Sequence, residues 1–280
     1  MATSARLGPL LERLRRVAAR TVFTEYPGHA ARLAREATDY SGVAAVGGDG
    51  TLFEILNGLD LNRQRIAIIP TGRGNSLARD LGLLRRRLNA DILASSDPIH
   101  VDLLEVTFCD VYGCERQNLS ASTISLGYPT AVARAATRFH RLGQLCYAAA
   151  AASVRPVSYA VEITCEHGHP QRKRLKGIIA NNTRYIANFL AFPQASCCDG
   201  HFDLMELNAG YLGQNVHNLS ALTGARFHGS INLSCIRRTR LQLHEPLELM
   251  IDGEFYPDVM SVDIRILPGA LACDKRNGGL

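Results

Sequence analysis

The chain has 280 residues, a formal net charge of +5 and eight cysteines. A chain of that length buries roughly three quarters of its unfolded surface, so one or two domains can fold without disulfide or metal staples. Its 46% apolar and 20% charged content exclude a disordered chain, and no apolar run reaches the ~18 residues that span a bilayer.

Leu7, Leu10, Leu11, Leu14 and Val17 recur at helical spacing with Arg and Glu between them, which predicts an amphipathic helix over residues 7–19. "RTVFTEYPGH" reads as a short strand, Thr21 to Thr24, running into a turn, and "HAARLAREATDY" as a second amphipathic helix. "GVAAVGG" is a short buried strand ending in glycine, and "TLFEILNGL" is a helix. "RIAIIPTGRGN" repeats the plan, a buried strand and a Pro/Gly loop, before the helix "NSLARDLGLL". This alternation predicts a parallel sheet covered on both faces.

Past residue 100 the texture changes. "HVDLLEVTF", "ASTISLGY", "SYAVEITCEH", "LKGIIANNT", "HFDLMELNA", "INLSCIRRTRLQLH", "LELMIDGE" and "SVDIRILP" are strand-like runs with turn residues between them. They predict an antiparallel sandwich. One long helical stretch, Thr130 to Ser153, interrupts them, and its core "LCYAAAAASV" is too short to cross a membrane.

The two strand–loop–helix units carry the first functional signal. In a parallel sheet, ligands settle at the carboxyl ends of the strands. Glycine lets backbone approach an anion and adopt positive φ, and a helix beginning near Thr51 aims free amides at it. The lysines are Lys173, Lys176 and Lys275 alone, so a Walker A lysine is excluded and backbone amides and arginines must hold any nucleotide. Asp49, inside Gly47-Gly48-Asp49-Gly50-Thr51, repels phosphate unless Mg²⁺ lies between them. The alternative is an N-cap for the helix starting near Thr51. Asp252-Gly253 reads by itself as a hairpin turn, and Cys198-Asp199-Gly200 as another turn. The start "MATSARLGPLLERLRRVAAR" lacks an apolar signal-peptide core, so the thiols are expected to be reduced in the cytosol and mostly packed as small hydrophobes.

"GGDGTLFEILNGL", followed by "IPTGRGNSLARDLG", resembles the diacylglycerol kinase catalytic domain family, which includes bacterial lipid kinases, sphingosine kinases and ceramide kinases. "TVFTEYPGHAARLARE" resembles the family's Thr-containing stretch before the glycine loop, and "FPQASCCDGHFDLMEL" and "LELMIDGE" are similar to later family segments, all in family order. The resemblance implies an α/β N-terminal domain with an NAD kinase/phosphofructokinase-like parallel sheet, and a C-terminal antiparallel β-sandwich. The expected division is a nucleotide-binding domain at 1–100, to which the tail 268–280 returns, and a lipid-binding sandwich at 101–267.

The same resemblance implies an ATP-dependent lipid kinase of phospholipid metabolism that acts on diacylglycerol, a sphingoid base or a similar lipid alcohol. By this likeness Thr24, Gly47, Gly48, Asp49, Gly50, Thr51, Gly72, Arg73, Gly74 and Asn75 line the site for ATP and its Mg²⁺. Asp252 and Glu254 sit in the active-site motif with Asp49. Asp199, with backbone carbonyls of Ser196 and His201, matches a structural Mg²⁺ site. The alternatives are an NAD kinase-like phosphotransferase and a lipid-binding member without catalysis.

Three departures from the family pattern stand out. A first strand ending in an Asn-Pro-x-Ser-Gly-like loop is expected to be absent, Arg73 replaces a Thr or Ser, and Cys198 replaces an Asp. The helix with Arg134, Arg138 and Arg141 reads as a core helix with a solvated arginine face, or as a lipid-cleft wall touching anionic headgroups. His167-Gly168-His169 and "QRKRLK" read as an exposed hairpin, and nucleic acid is excluded for want of an aromatic platform. The expected setting is cytoplasmic, peripheral at the inner membrane face, with a lipid substrate and a homodimer as partners.

Overall fold

The computed structural model describes residues 12–274 apart from 13, 17, 73, 86–96, 140–145, 167, 187–188 and 209–230. Of the first predicted helix, Glu12, Leu14, Arg15 and Arg16 are described and helical, and Leu14 packs on Ala67 and Ile69. The predicted strand Thr21–Thr24 does not form. Val22 and Phe23 are exposed there. Apolar alternation makes a strand only where a neighbouring ladder takes its backbone groups, and none pairs with these residues among those described.

Helix α1 (His29–Glu36) follows, its first turn closed by Glu54, whose carboxylate accepts the Gly28 and Ala30 N–H groups at 2.9 and 3.0 Å. Strand β1 (Gly42–Gly47) leads into α2 (Asp49–Leu56), and β2 (Arg65–Pro70) into α3 (Ser76–Asp80) and a 3-10 turn at Leu83–Arg85. β1 and β2 pair in parallel, from Gly42 opposite Arg65 to Gly47 opposite Pro70. Both glycine loops therefore open at the same end of the sheet.

β3 (Pro98–Asp110), β4 (Glu115–Ser120) and β5 (Thr123–Gly127) begin the sandwich. The predicted helix Thr130–Ser153 is two helices, α4 (Tyr128–Ala136) and α5 (Cys146–Ser153), with a turn at 137–139. The Tyr128 hydroxyl ties them by donating to the Ala151 carbonyl at 3.0 Å. Then come β6 (Tyr159–Cys165), β7 (Gln171–Leu175), β8 (Gly177–Asn181), the short pair β9 (Tyr185–Ile186) and β10 (Phe189–Leu190), and β11 (Phe202–Leu207). β12 (Ile231–Ile236), β13 (Arg238–Ile251) and β14 (Glu254–Asp274) complete the chain.

Two long strands join the parts. β13 pairs with β6 along Thr239–Leu243 and with β5 along Leu249–Ile251, changing partners across register shifts after Gln242 and Leu247. β14 pairs with β13 and β3, then in parallel with β2 at Cys273. The sandwich core holds Leu104, Val106, Ile124, Leu126, Leu241 and Ile251, all essentially inaccessible. Truncating one, as in Leu104→Ala, removes about 2–5 kcal/mol.

Helix α2 serves both parts. Phe53 enters the sandwich core, while Leu52, Ile55 and Leu56 pack in a second core with Ala45, Ile66 and Leu103. Asn57, just past its end, exchanges hydrogen bonds with Leu119 on β4: its Nδ2 donates to the carbonyl at 3.0 Å and its Oδ1 accepts the N–H at 2.8 Å. The helix that follows the first glycine loop is thus fixed to the sandwich as well as to its own sheet.

The thiols depart from expectation. Only Cys197 and Cys273 are fully buried, while Cys114, Cys198 and Cys235 are exposed. Cys198 lies near Asp102, Asp80 and Asp199, and Cys235 near Asp203 and Asp199.

Candidate active site

The two glycine loops touch. The Gly47 carbonyl accepts the Thr71 and Gly72 N–H groups at 2.9 and 3.3 Å. A methyl on Gly72 would fall 2.4 Å from the Gly48 Cα, and one on Gly47 would fall 2.4 Å from the Thr51 Oγ1. Gly47, Gly48 and Gly50 do not adopt positive φ, and at Gly47 and between Gly48 and Gly72 the expected conformational reason gives way to a steric one. The missing Cβ atoms let one backbone lie on another.

Asp49 is the first residue of α2, and Gly48 occupies the N-cap position. The predicted cap of its own helix is therefore corrected. Its carboxylate reaches across to the second loop, where Oδ2 accepts the Asn75 N–H and Oδ1 the Ser76 N–H, both at 2.7 Å. It caps α3 instead. Asn75 sits in the left-handed region at φ 53 and closes its own loop by donating Nδ2 to the Gly72 carbonyl at 2.7 Å. Burial raises the Asp49 carboxyl above the ordinary range, against the opposing pull of the Ser76 and Asn75 amides and the Arg79 charge.

The Asp252-Gly253 turn is the second corner of the site. Both residues have positive φ, 47 and 98, and Ile251 pairs with Glu254 across them, the geometry of a two-residue hairpin. The Asp252 backbone makes the hairpin tip while its carboxyl turns inward. Oδ1 accepts the Thr123 N–H at 2.7 Å, the Ser120 hydroxyl at 2.9 Å and the Ser122 N–H at 3.2 Å. Oδ2 accepts the Ala121 N–H at 2.8 Å. Burial pushes this carboxyl up to about 6, against the Thr123 and Ala121 amides and the Ser120 hydroxyl, and the Asp49 charge adds to the rise. Sequence reasoning did not find the Ser120–Thr123 loop. Its one signal is a run of small polar residues between two strands.

The corners meet at α2. A methyl on Gly50 would lie 4.0 Å from the Glu254 Oε1, so an exposed carboxylate stands over the first turn of the helix. Tyr147 on α5 faces the same place: burial, Cys146 and then Asp49 raise its phenol. Arg134 stacks on the Phe255 ring at 4.3 Å and donates Nε to Glu248 at 2.6 Å. Both Arg134 and Arg138 remain exposed.

Asp49 lies near enough to Asp252 for its charge to help keep the Asp252 proton on, and Glu254 stands over Gly50, the residue after Asp49. Hard oxygens of this type suit divalent cations, but both oxygens of Asp49 and of Asp252 already accept backbone N–H groups, which leaves Glu254 as the open carboxylate. At the Asp199 turn, Oδ1 accepts the His201 N–H at 3.0 Å and the Asp199 carbonyl meets the His201 Nδ1 at 2.9 Å. The Ser196 hydroxyl accepts the Cys198 N–H at 3.3 Å. Among the described residues no three His, Cys, Asp or Glu side chains gather to hold a metal. What fixes this turn is Asp102, buried on β3, which accepts the Gly200 N–H at 2.7 Å and the Gly269 N–H at 2.6 Å. Asp102 interrupts an apolar strand and went unread in the sequence.

Gly74 is half-buried between Gly72 and Asn75. Arg73, Arg141 and His167 lie outside the described residues. Thr24 is exposed before α1, and among the described residues no hydrogen bond ties it to the glycine loops. No described helix is long and apolar enough to cross a membrane.

Known proteins share this architecture. The diacylglycerol kinase catalytic domain family matches residues 4–106, and the YegS C-terminal NAD kinase beta sandwich-like domain matches residues 122–273. A diacylglycerol kinase of Bacillus subtilis (strain 168) is 27% identical over 249 residues, 83% of this chain and 78% of that one. A solved diacylglycerol kinase structure from Bacillus anthracis str. Sterne superposes with a TM-score of 0.70 at 18% identity, covering 98% of this chain and 91% of that one. A second solved chain from that organism reaches 0.79 at 21% identity, covering 98% and 90%. At such identities the structural likeness speaks for the fold.

Proposed function

The chain belongs to the bacterial lipid-kinase family that joins a diacylglycerol kinase catalytic domain to a YegS-type sandwich, and from that premise we propose that it transfers the γ-phosphoryl group of ATP to a lipid hydroxyl. The observation that carries this reading is the meeting of Glu254 with the first turn of α2 beside Asp49. Phosphoryl transfer asks for positioned phosphates, neutralised charge and a carboxylate to take the hydroxyl proton. The α2 N-terminus and the loop 72–75 present backbone amides to the phosphates. Asp49 would hold Mg²⁺, which when bound neutralises charge on the phosphate oxygens.

Glu254 is the base in this scheme. It is exposed to an incoming alcohol, whereas both oxygens of Asp252 are engaged by the Ser120–Thr123 loop. As the lipid oxygen bonds to phosphorus and the bond to the ADP oxygen breaks, the hydroxyl proton passes to Glu254. Residues 1–100 then serve the nucleotide and 101–267 the lipid, with α4 and α5 walling its approach at the membrane surface. Diacylglycerol and sphingoid bases are the acceptor classes.

The test is transfer of radiolabelled phosphate from ATP to micellar diacylglycerol, to a sphingoid base and to soluble NAD. Labelled lipid that needs Mg²⁺ and vanishes in Glu254→Gln supports the reading. Labelled NAD alone, or no product with any acceptor, overturns it.

A further inference from the structure

The Asp49 clamp depends on α3, a helix of only five residues. Leu77 and Ala78 fix that helix to its own sheet. Its far end is held from the other side of the cleft. Arg184, in the segment between β8 and β9, donates Nε to the Asp80 Oδ1 at 2.5 Å and Nη2 to the Asp80 carbonyl at 2.9 Å. Asp80 is only 3% exposed, so the fork meets a carboxylate largely withdrawn from water, where a two-point pair is worth more than on the surface. The Tyr185 ring lies beneath two guanidinium groups, Arg79 at 5.6 Å and Arg184 at 5.9 Å, and so links the helix to the same segment a second time.

The Arg184 segment is itself tied down. The Ala191 and Phe192 N–H groups both donate to the Arg184 carbonyl at 3.1 Å. The Thr183 hydroxyl donates to the Tyr185 carbonyl at 2.8 Å and meets the Ser122 hydroxyl at 3.3 Å. Ser122 belongs to the loop that grips Asp252. The contacts therefore close a ring: Asp49 to α3, α3 to Arg184, Arg184 through Thr183 to Ser122, Ser122 to Asp252, and the Asp252 turn to Glu254 over Gly50.

We propose that Arg184 is a positioning residue for phosphoryl transfer, which sets the distance between Asp49 and Glu254 by holding α3 against the sandwich. This rests on the lipid-kinase reading above for its catalytic consequence, though not for its structural one. Arg184 acts through Asp80 and α3. Lysine is a poor substitute, because it offers a point charge where the guanidinium makes two directed bonds.

The test takes the full chain as wild type, Arg184→Met, Arg184→Lys and Asp80→Asn. Two readouts are followed: hydrogen exchange at the Asn75 and Ser76 amides, and kcat and KM for ATP in lipid phosphorylation. In Arg184→Met the two amides exchange at least ~10-fold faster while β5 and β8 keep their protection, and kcat falls about 10-fold with KM for ATP changed less than about 2-fold. Asp80→Asn behaves alike, and Arg184→Lys recovers only part of both losses. Unchanged exchange at Asn75 and Ser76 overturns the proposal. So does a loss confined to KM for ATP and fully rescued by lysine, which marks a direct phosphate ligand. So does faster exchange throughout the sandwich, which marks a merely structural role. If the wild type phosphorylates no acceptor, the functional reading fails, and the amide exchange still decides whether Arg184 controls the Asp49 clamp.

Discussion

The Gly47–Thr51 loop and the Asp252–Glu254 turn are built on opposite principles and do similar work. Each places an aspartate at a glycine-flanked corner, and each aspartate reaches across to backbone amides of another loop. In the α/β part the glycines are there for space, since two backbones lie in contact at Gly48 and Gly72. In the sandwich they are there for handedness, since the hairpin demands positive φ at Asp252 and Gly253. The carboxylates that define both motifs in the sequence are the clamps of the site. The group left exposed between them is Glu254.

The comparison breaks most sharply at Asp252. Removing its carboxyl in Asp252→Ala strands the Ala121, Ser122 and Thr123 amides, each buried or half-buried, at a cost of about 3 kcal/mol or more. Urea unfolding measures this. The same group gives a pH signature, because its folded value is raised to about 6. Below the ordinary aspartate value of ~3.9 both states hold the proton. Between there and about 6 the unfolded chain has lost a proton that the folded chain keeps, so stability falls as pH rises. Above that window the penalty is constant, on the order of 3 kcal/mol. The unfolding free energy of wild type minus that of Asp252→Asn is therefore expected to decline between pH 4 and 6 and then level off. A flat difference means that the Asp252 proton is not held by the fold.

Gly72 sharpens the contrast on the other side. A methyl there meets the Gly48 Cα at 2.4 Å, backbone against backbone, so Gly72→Ala forces the two loops apart for about 2 kcal/mol. Gly50→Ala meets only the end of the Glu254 side chain at 4.0 Å. Gly50 lies within a helix, where alanine is the better former, so that change is expected to leave stability equal or slightly higher. Thermal unfolding of the two variants separates the glycine needed for packing from the one near the chemistry.

The sequence told much of the fold because its two textures differ in period. Buried apolar runs marked β1 and β2, and alternation marked β6, β11 and β14. β4, "ERQNLS", was missed because it carries almost no apolar alternation; it forms because β3 offers it a full ladder. Thr21–Thr24 shows the converse, a strand-like pattern without a ladder. In the site, the residues with unusual types at fixed spacing were legible: the glycines, Asp49, Asp252 and Glu254. Those that hold them were not. Ser120, Ser122, Thr123 and Arg184 are ordinary residues made important by contacts 60 to 130 positions away in the chain, such as Ser122 to Thr183 and Thr123 to Asp252, and no local pattern encodes such contacts.

The smallest structural effect belongs to the residue with the largest chemical one. Glu254 is exposed and forms the hairpin edge through its backbone pairing with Ile251. Replacing its carboxylate by the isosteric amide removes no buried hydrogen bond, so Glu254→Gln is expected to unfold within about 0.5 kcal/mol of the wild type. Phosphoryl transfer to lipid is expected to fall at least ~100-fold, the usual scale for a lost general base, with KM for the lipid little changed. The two readouts must part company. If stability and transfer fall together, Glu254 is another clamp, and the division of labour between buried aspartates and an exposed glutamate is wrong. If neither falls, the proton leaves by another group, and Asp252 becomes the base in spite of its engaged oxygens.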